Sequence, residues 1–267
     1  MSAQAAALHA RPRALDASRA ATPDDKVILV GAGKGGVGTS LVAALLAAGS
    51  AMHGARTLLV DASDASTIPM LLGAITPKAL DLLRSGAAEA TDCVVPVADG
   101  LALVSATGAR EPGVQAAERR ALLRRLSDLY TDYDVVIVDA GCRSETLLAH
   151  AEQGVGRLVL VTEPDAICAA ATHAALKTVS ARLPQLEADV LVNRGDEGPA
   201  ESVGEHLMTG ADRFLGRTVG VLGMLPADHT LRRALASGMH LLDVIGGSPA
   251  AEAAKEIAGR VVGAVRR

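Results

Sequence analysis

Residues 33–40 have the sequence Gly-Lys-Gly-Gly-Val-Gly-Thr-Ser, and their types and spacing suit the binding of phosphate. Closely spaced glycines let successive backbone N–H groups turn toward an anion. An apolar run at 27–30 precedes this glycine-rich loop, and a helix-like apolar run at 41–46 follows it. A helix that begins directly after the loop adds the partial positive charge of its N-terminus. The order of strand, loop and helix therefore predicts a phosphate site.

The glycine-rich loop fits the spacing of the P-loop, G-x-x-x-x-G-K-[ST], except at one position. Thr39 stands where that motif has the lysine that contacts the β- and γ-phosphates, whereas Ser40 keeps the hydroxyl that ligates Mg²⁺. We therefore predict a nucleotide site built mainly from backbone amides. The predicted nucleotide-binding residues of the loop are Gly33, Lys34, Gly35, Gly36, Val37, Gly38, Thr39 and Ser40.

Two phosphate-binding motifs compete for this segment. Residues 31–36 also satisfy G-x-G-x-x-G, and Asp61 ends the next strand, where a dinucleotide-binding fold places a ribose-binding acid. A dinucleotide-dependent oxidoreductase is therefore an alternative. The P-loop interpretation explains more residues, because a second buried strand, at 134–139, also ends in an acid, Asp139. It predicts a Mg²⁺ site in which Ser40 ligates the ion and Asp61 and Asp139 order its waters; otherwise the two acids only cap helices.

The elements that must position these residues alternate along the chain from Lys26 onward. Strand candidates lie at 26–31, 56–61, 101–105, 134–139, 157–162, 188–193 and 218–224. Helix candidates lie near 39–52, 78–85, 115–130, 144–153, 166–182, 200–214, 228–237 and 249–265. Such alternation predicts an α/β fold, a doubly wound, mostly parallel sheet flanked by helices on both faces. Two short β-like pieces at 92–105 predict one antiparallel hairpin around Asp99-Gly100.

The chain divides into two parts by composition. Residues 1–25 are Ala-rich and are expected to form a tail that is flexible or contains one short helix, and 26–267 form one nucleotide-binding domain. The net charge of −4 and the near absence of aromatic residues argue against a specific nucleic-acid partner. Without a long apolar run, we expect a cytoplasmic protein with at most weak or indirect contact at the inner face of the cell membrane. The scattered Cys93, Cys142 and Cys168 are expected to be buried thiols.

Residues 34–38, Lys-Gly-Gly-Val-Gly, resemble the deviant Walker A motif of the MinD/ParA ATPases, K-G-G-x-G-K-[ST]. Four later segments, 57–63, 133–141, 192–194 and 223–228, are similar to other elements of that family. The resemblance implies a P-loop protein that binds ATP or ADP with Mg²⁺ and forms a homodimer with the nucleotides sandwiched between its subunits. It also implies that Asn193 and Pro226 flank the adenine, and that Lys34 is a catalytic lysine that reaches the phosphates of the partner subunit.

Within that family the chain is most similar to the flagellar-number regulators, the FlhG branch, at 213–216, 231–242 and 248–250. This similarity implies control of flagellar assembly, with the GTPase FlhF as a partner. In the tail, 4–8 resemble the activator motif of that branch. Three alternatives stay open: a partition protein or a pilus or cellulose-secretion relative of ParA, a nucleotide-free scaffold that binds other proteins, and the oxidoreductase.

Two departures from the family pattern concern catalysis. Thr39 replaces the Walker lysine, and Ser63 replaces the acid that orients the attacking water in that family. Asp64, the next residue, is the candidate to take over that second role. Phosphoryl transfer needs both an oriented water and stabilised charge, so we predict weak or absent ATP hydrolysis.

Overall fold

The computed structural model describes residues 24–63, 65–107, 116–195 and 197–265, and within these ranges it describes the side chains except those of 116 and 197–201. The strands are β1 (Asp24–Ala32), β2 (Thr57–Asp61), β3 (Val95–Ala98), β4 (Leu101–Ser105), β5 (Val135–Gly141), β6 (Val155–Thr162), β7 (Glu187–Gly195) and β8 (Gly220–Pro226). The helices are α1 (Thr39–Met52), α2 (Ile68–Leu72), α3 (Ala79–Ser85), α4 (Ala116–Ser127), α5 (Ser144–Ala151), α6 (Ala166–Arg182), α7 (Glu197–Leu215), α8 (His229–Ala236), α9 (Leu241–Val244) and α10 (Pro249–Val265). In these ranges, no helix combines the length and the apolar character needed to cross a bilayer.

The strands form one sheet in the order β3-β4-β2-β5-β1-β6-β7-β8. Every neighbouring pair is parallel except β3 and β4, which pair antiparallel. The predicted doubly wound, mostly parallel sheet and the predicted hairpin are both confirmed. Since β1 lies between β5 and β6, the chain winds outward from β1 in both directions, and ligands of such sheets bind at the carboxyl ends of the strands beside this switch.

Side chains of the central strands alternate between two apolar layers. On β1, Val27 and Leu29 point into the layer covered mainly by α3 to α7, whereas Ile28 and Val30 point into the layer covered by α1, α2 and α8 to α10. All four side chains are at most 3% exposed. Burial of both faces explains why this strand is apolar along its length, and it fixes the direction in which β1 delivers the chain to the glycine-rich loop.

The structure differs from the sequence-based prediction in a few elements. β1 begins at Asp24, before the predicted start, because the Asp24 amide donates to Gly154 O at 2.9 Å. α2 and α9 have five and four residues, too few to show a helical period in the sequence. The expectation of three buried thiols is wrong for Cys142, which is exposed. Residues 1–23 of the predicted tail lie outside the described residues.

Both edges of the sheet have features that interrupt strand pairing. The edge strand β3 is only four residues long and contains Pro96, which has no amide to donate. At the opposite edge, Arg260 of α10 donates from Nη2 to Leu222 O of β8 at 2.7 Å. The carbonyl of an edge strand is thus bonded to a helix side chain.

Candidate functional site

The glycine-rich loop joins β1 to α1 and ends at Gly38, the N-cap of α1, which has a left-handed backbone with φ 85°. Among the described residues, no side chain caps this helix, and its first turn contains no acidic residue. The first amides of a helix have no partner within the helix and give its N-terminus a partial positive charge. This helix start therefore has the donors and the charge that a phosphate group requires.

The loop lies so close to the end of β7 that glycine is required at position 38. A Cβ on Gly38 would lie 2.5 Å from Nδ2 of Asn193, in addition to the strain of its positive φ. Asn193, 5% exposed, donates from Nδ2 to Val37 O at 2.8 Å. The hydrogen bond holds the loop against β7, whose sequence position is more than a hundred residues away.

Asp61 and Asp139 lie at the same level of the sheet because β2 and β5 pair in parallel register and bring these two residues opposite each other. Both residues are fully buried. On its other side Asp139 pairs with Val30, at the end of β1 just before the loop. The structure thus brings together the loop and the two strand-end acids that the sequence analysis selected.

Hydroxyl groups satisfy the carboxylate of Asp61. Ser63 donates from Oγ to Asp61 Oδ1 at 2.9 Å, and Ser66 donates from Oγ to Oδ2 at 2.8 Å. Burial raises the pKa of Asp61, and these hydrogen bonds lower it in part. The Ser63 side chain, at the position of the family's water-orienting acid, is therefore bonded to Asp61. Asp64, its candidate substitute, lies outside the described residues.

The carboxylate of Asp139 is only half satisfied. Oδ1 accepts from the Gly141 amide at 2.9 Å, but Oδ2 is buried and has no hydrogen-bond partner among the described residues. Burial raises the pKa of Asp139 to about 6, and the charge of Asp61 adds to this shift, although the nearby hydroxyls of Ser40 and Ser63 and the Gly141 amide act to lower it. A buried carboxylate oxygen without a donor is costly, and a hydrated Mg²⁺ ion would supply both donors and charge. Ser40, half-buried at the start of α1, offers the hydroxyl that would ligate such an ion, so the residues present fit Mg²⁺.

A cavity of about 140 Å³ lies beside the loop at the ends of β7 and β8. Its lining includes apolar side chains of α1 and α8, polar Arg232 of α8, and two residues at the strand ends. These residues are Leu41, Leu45, Leu231, Arg232, Asn193 and Pro226. Apolar walls with a few polar groups suit a flat ring system. Asn193 and Pro226, which the family resemblance assigns to the adenine, both line this cavity.

Two further predicted residues of the loop, Lys34 and Thr39, differ in exposure. Lys34 is exposed, and its charge makes a minor contribution to the lowered pKa of Asp165, which is held down mainly by hydrogen bonding to Cys168. Lys34 therefore lies near the start of α6, with its ammonium accessible from outside. Thr39 is 8% exposed, so the position of the P-loop lysine is taken by a largely buried hydroxyl side chain.

Sequence reasoning missed two contributors to this site. Ser66 bonds to Asp61, and Arg194 bonds to the carbonyl of Gly36 in the loop. Both have a positive φ, 45° for Ser66 and 56° for Arg194. The available signal was position alone, since Ser66 follows the buried strand β2 and Arg194 is the second-last residue of the buried strand β7.

Known proteins similar to this chain include one family, matched over most of the chain, and two relatives. A family model described as cellulose biosynthesis protein BcsQ matches residues 26–261. The antiactivator FleN of Pseudomonas aeruginosa is 28% identical over 244 residues, covering 88% of this chain and 86% of FleN. An uncharacterized ATP-binding protein of Methanocaldococcus jannaschii is 27% identical over 241 residues, covering 89% of this chain and 88% of that protein.

Solved structures show the same fold. The septum site-determining protein MinD of Pyrococcus horikoshii, solved in complex with Mg-ADP, superposes with a TM-score of 0.68 at 20% identity. The alignment covers 88% of this chain and 95% of that structure. The likeness confirms the predicted MinD/ParA-like fold.

The half-satisfied Asp139 leads to a prediction about stability without ligand. A folded-state pKa of about 6 exceeds the ordinary value near 4, so the native protein holds an extra proton between these pH values. Stability then falls as the pH rises from about 4 to 6, and the loss persists above pH 6. We expect Asp139→Asn to raise the free energy of unfolding at pH 7.5 by up to about 3 kcal/mol, with the difference vanishing near pH 4.

Urea unfolding with EDTA present, at several pH values, measures this difference. The control is Asp99→Asn, at an exposed turn, which should leave stability within about 0.5 kcal/mol. If Asp139→Asn were less stable than the wild type at pH 7.5, the carboxylate would have a stabilising partner, contrary to its surroundings.

Proposed function

Because the chain belongs to the family of the cellulose biosynthesis protein BcsQ, we propose that it is a nucleotide-dependent regulator that binds ADP and ATP with Mg²⁺. The nucleotide-bound state would control a partner in an assembly machine. The similarity to a MinD structure solved with Mg-ADP and to an ATP-binding protein supports this proposal. The observation that carries it is the buried Asp139 Oδ2, which accepts no hydrogen bond from the described residues and lies near the uncapped start of α1.

Each part of the site would have a distinct role in this proposal. Amides of the glycine-rich loop would bind the phosphates, Ser40 would ligate Mg²⁺, and Asp61 and Asp139 would orient its waters. When bound, the ion neutralises phosphate charge. Thr39 cannot add positive charge, and Ser63 is bonded to Asp61. We therefore propose that the protein hydrolyses ATP weakly or not at all, and that binding itself is the signal.

The orientation of the Asn193 amide favours one class of base. One of the two Nδ2 hydrogens is donated to Val37 O, and the side-chain oxygen, an acceptor, is left for a ligand in the adjacent cavity. Adenine presents an amino group at the position where guanine presents a carbonyl oxygen. A ligand donor that faces this oxygen would therefore be favoured, whereas a ligand acceptor in the same place would be left unpaired, which costs about 1–3 kcal/mol.

Titration calorimetry with nucleotides tests the proposed function. We expect MgADP and MgATP to bind, and MgGDP to bind at least about tenfold more weakly. Asp139→Asn should reduce the gain in affinity that Mg²⁺ gives, while leaving binding in EDTA nearly unchanged. Phosphate release from MgATP should stay near background. Lack of binding by either adenine nucleotide would leave the nucleotide-free scaffold as the better explanation, and binding of NADH instead would favour the oxidoreductase.

Lys34 is proposed to act between two copies of the chain. It is exposed in the glycine-rich loop, where the family resemblance places a lysine that reaches the partner's phosphates. We expect light scattering to show a dimer with a nonhydrolysable ATP analogue and Mg²⁺, and Lys34→Ala to reduce dimer formation about tenfold with little change in ADP affinity. The matched control is Lys177→Ala, on α6. A dimer that forms equally well in Lys34→Ala would rule out this role.

Two machines are candidates for the regulated partner. The family model favours cellulose secretion, and the similarity to FleN favours flagellar assembly, with the GTPase FlhF as the proposed partner. Deletion of the coding sequence in the source organism separates them. Loss of cellulose with an unchanged number of flagella is expected from the family assignment. A changed number of flagella with normal cellulose would support the flagellar role.

A further inference from the structure

Arg194 has a strained backbone directly after the Asn193 that holds the loop. In the described ranges, only Ser66 and Arg194 combine a side chain with a positive φ, and both lie at the ligand edge of the sheet. A left-handed backbone disfavours any residue with a Cβ, so it persists only where surrounding contacts impose it. The contacts of the Arg194 side chain should therefore explain why this backbone conformation is retained.

The guanidinium of Arg194 lies against the glycine-rich loop. Nη1 donates to Gly36 O at 3.2 Å and to Glu163 Oε1 at 2.5 Å. Nη2 lies 4.0 Å from the point that a Cβ on Gly38 would occupy. The side chain is 47% exposed, and it lines the cavity beside the loop. A positive charge is thus held within reach of a ligand at the same loop whose lysine position is occupied by Thr39.

We propose that Arg194 supplies the phosphate-binding cation that the loop itself lacks. This inference rests on the proposed nucleotide binding and adds a residue to it. A guanidinium has five N–H donors, and the contacts to Gly36 and Glu163 use only Nη1, so the group has donors left for a phosphate oxygen. Glu163 holds the side chain in place, and it also neutralises part of the charge.

A purely mechanical role is the competing explanation, because the bond to Gly36 O also supports the loop. The two explanations differ when a second cation is introduced. A lysine at position 39 would replace the charge of Arg194, but it would not replace a bond to Gly36 O. The effect of removing Arg194 should therefore depend on residue 39 only if its charge acts on the phosphates.

The experiment is a double-mutant cycle on ADP and ATP affinity. Arg194→Gln is expected to weaken binding about tenfold in the wild type, whereas in Thr39→Lys the same change should cost less than about threefold. Arg194→Lys should retain most of the affinity. Equal losses in the two backgrounds, or no loss in either, would overturn the inference. The control is Arg213→Gln. Arg213 is exposed at the end of α7, where the chain returns to the amino ends of the strands, away from the glycine-rich loop.

Glu163→Gln provides a test of opposite sign that leaves Arg194 intact. If Arg194 acts through its charge, removing the carboxylate should tighten ADP binding about threefold, and higher salt should diminish the gain. If Arg194 only supports the loop, losing its strongest partner should weaken binding, and the inference fails. A wild-type protein that binds no adenine nucleotide would overturn the proposed function itself, whereas a binding wild type with an unaffected Arg194→Gln variant overturns only this inference.

Discussion

The parallel pairing of β2 with β5 brings the carboxylates of Asp61 and Asp139 side by side in the interior of the sheet. Ionisation of two neighbouring buried acids is costly in free energy, because burial disfavours charge and the negative charge of one opposes ionisation of the other. Among the described residues, two hydroxyls and an amide donate to Asp61, whereas Asp139 accepts from one amide and has the Ser40 and Ser63 hydroxyls nearby. A positive charge or a donor near Asp139 Oδ2, beside the loop, would therefore be stabilising. If β5 contributed only to stability, an apolar residue at position 139 would avoid the cost of burying a carboxylate.

The loop obtains its shape and its charge from residues that are distant in sequence. β1 delivers the chain, α1 provides the open amides, and the end of β7 provides both Asn193 and Arg194. In this arrangement the loss of a lysine from the loop does not remove positive charge from its surroundings. Charge at such a site depends on where a guanidinium or ammonium group ends in space, so a motif that lacks its cation can still belong to a binding site.

The sequence predicted the sheet, the helices and the two strand-end acids because these follow from local patterns. A buried apolar strand that ends in Asp is visible in ten residues, as at 57–61 and 135–139. The bond between Asn193 and Val37 was not predictable, because no period or motif relates residues 156 positions apart. The conformation of Arg194 was missed for another reason. Left-handed backbone is expected at glycine or asparagine, and an arginine gives no such sign. Short helices such as α2 were missed because packing, not periodicity, determines them.

The two edge strands of the sheet, β3 and β8, affect whether another copy of this chain can pair with it by strand addition. An open strand edge is a template on which another chain can add a strand and continue the sheet. Pro96 interrupts the ladder at one end, and Arg260 occupies a carbonyl at the other. Strand addition by another chain, and with it fibre-like growth, is thereby disfavoured at both edges.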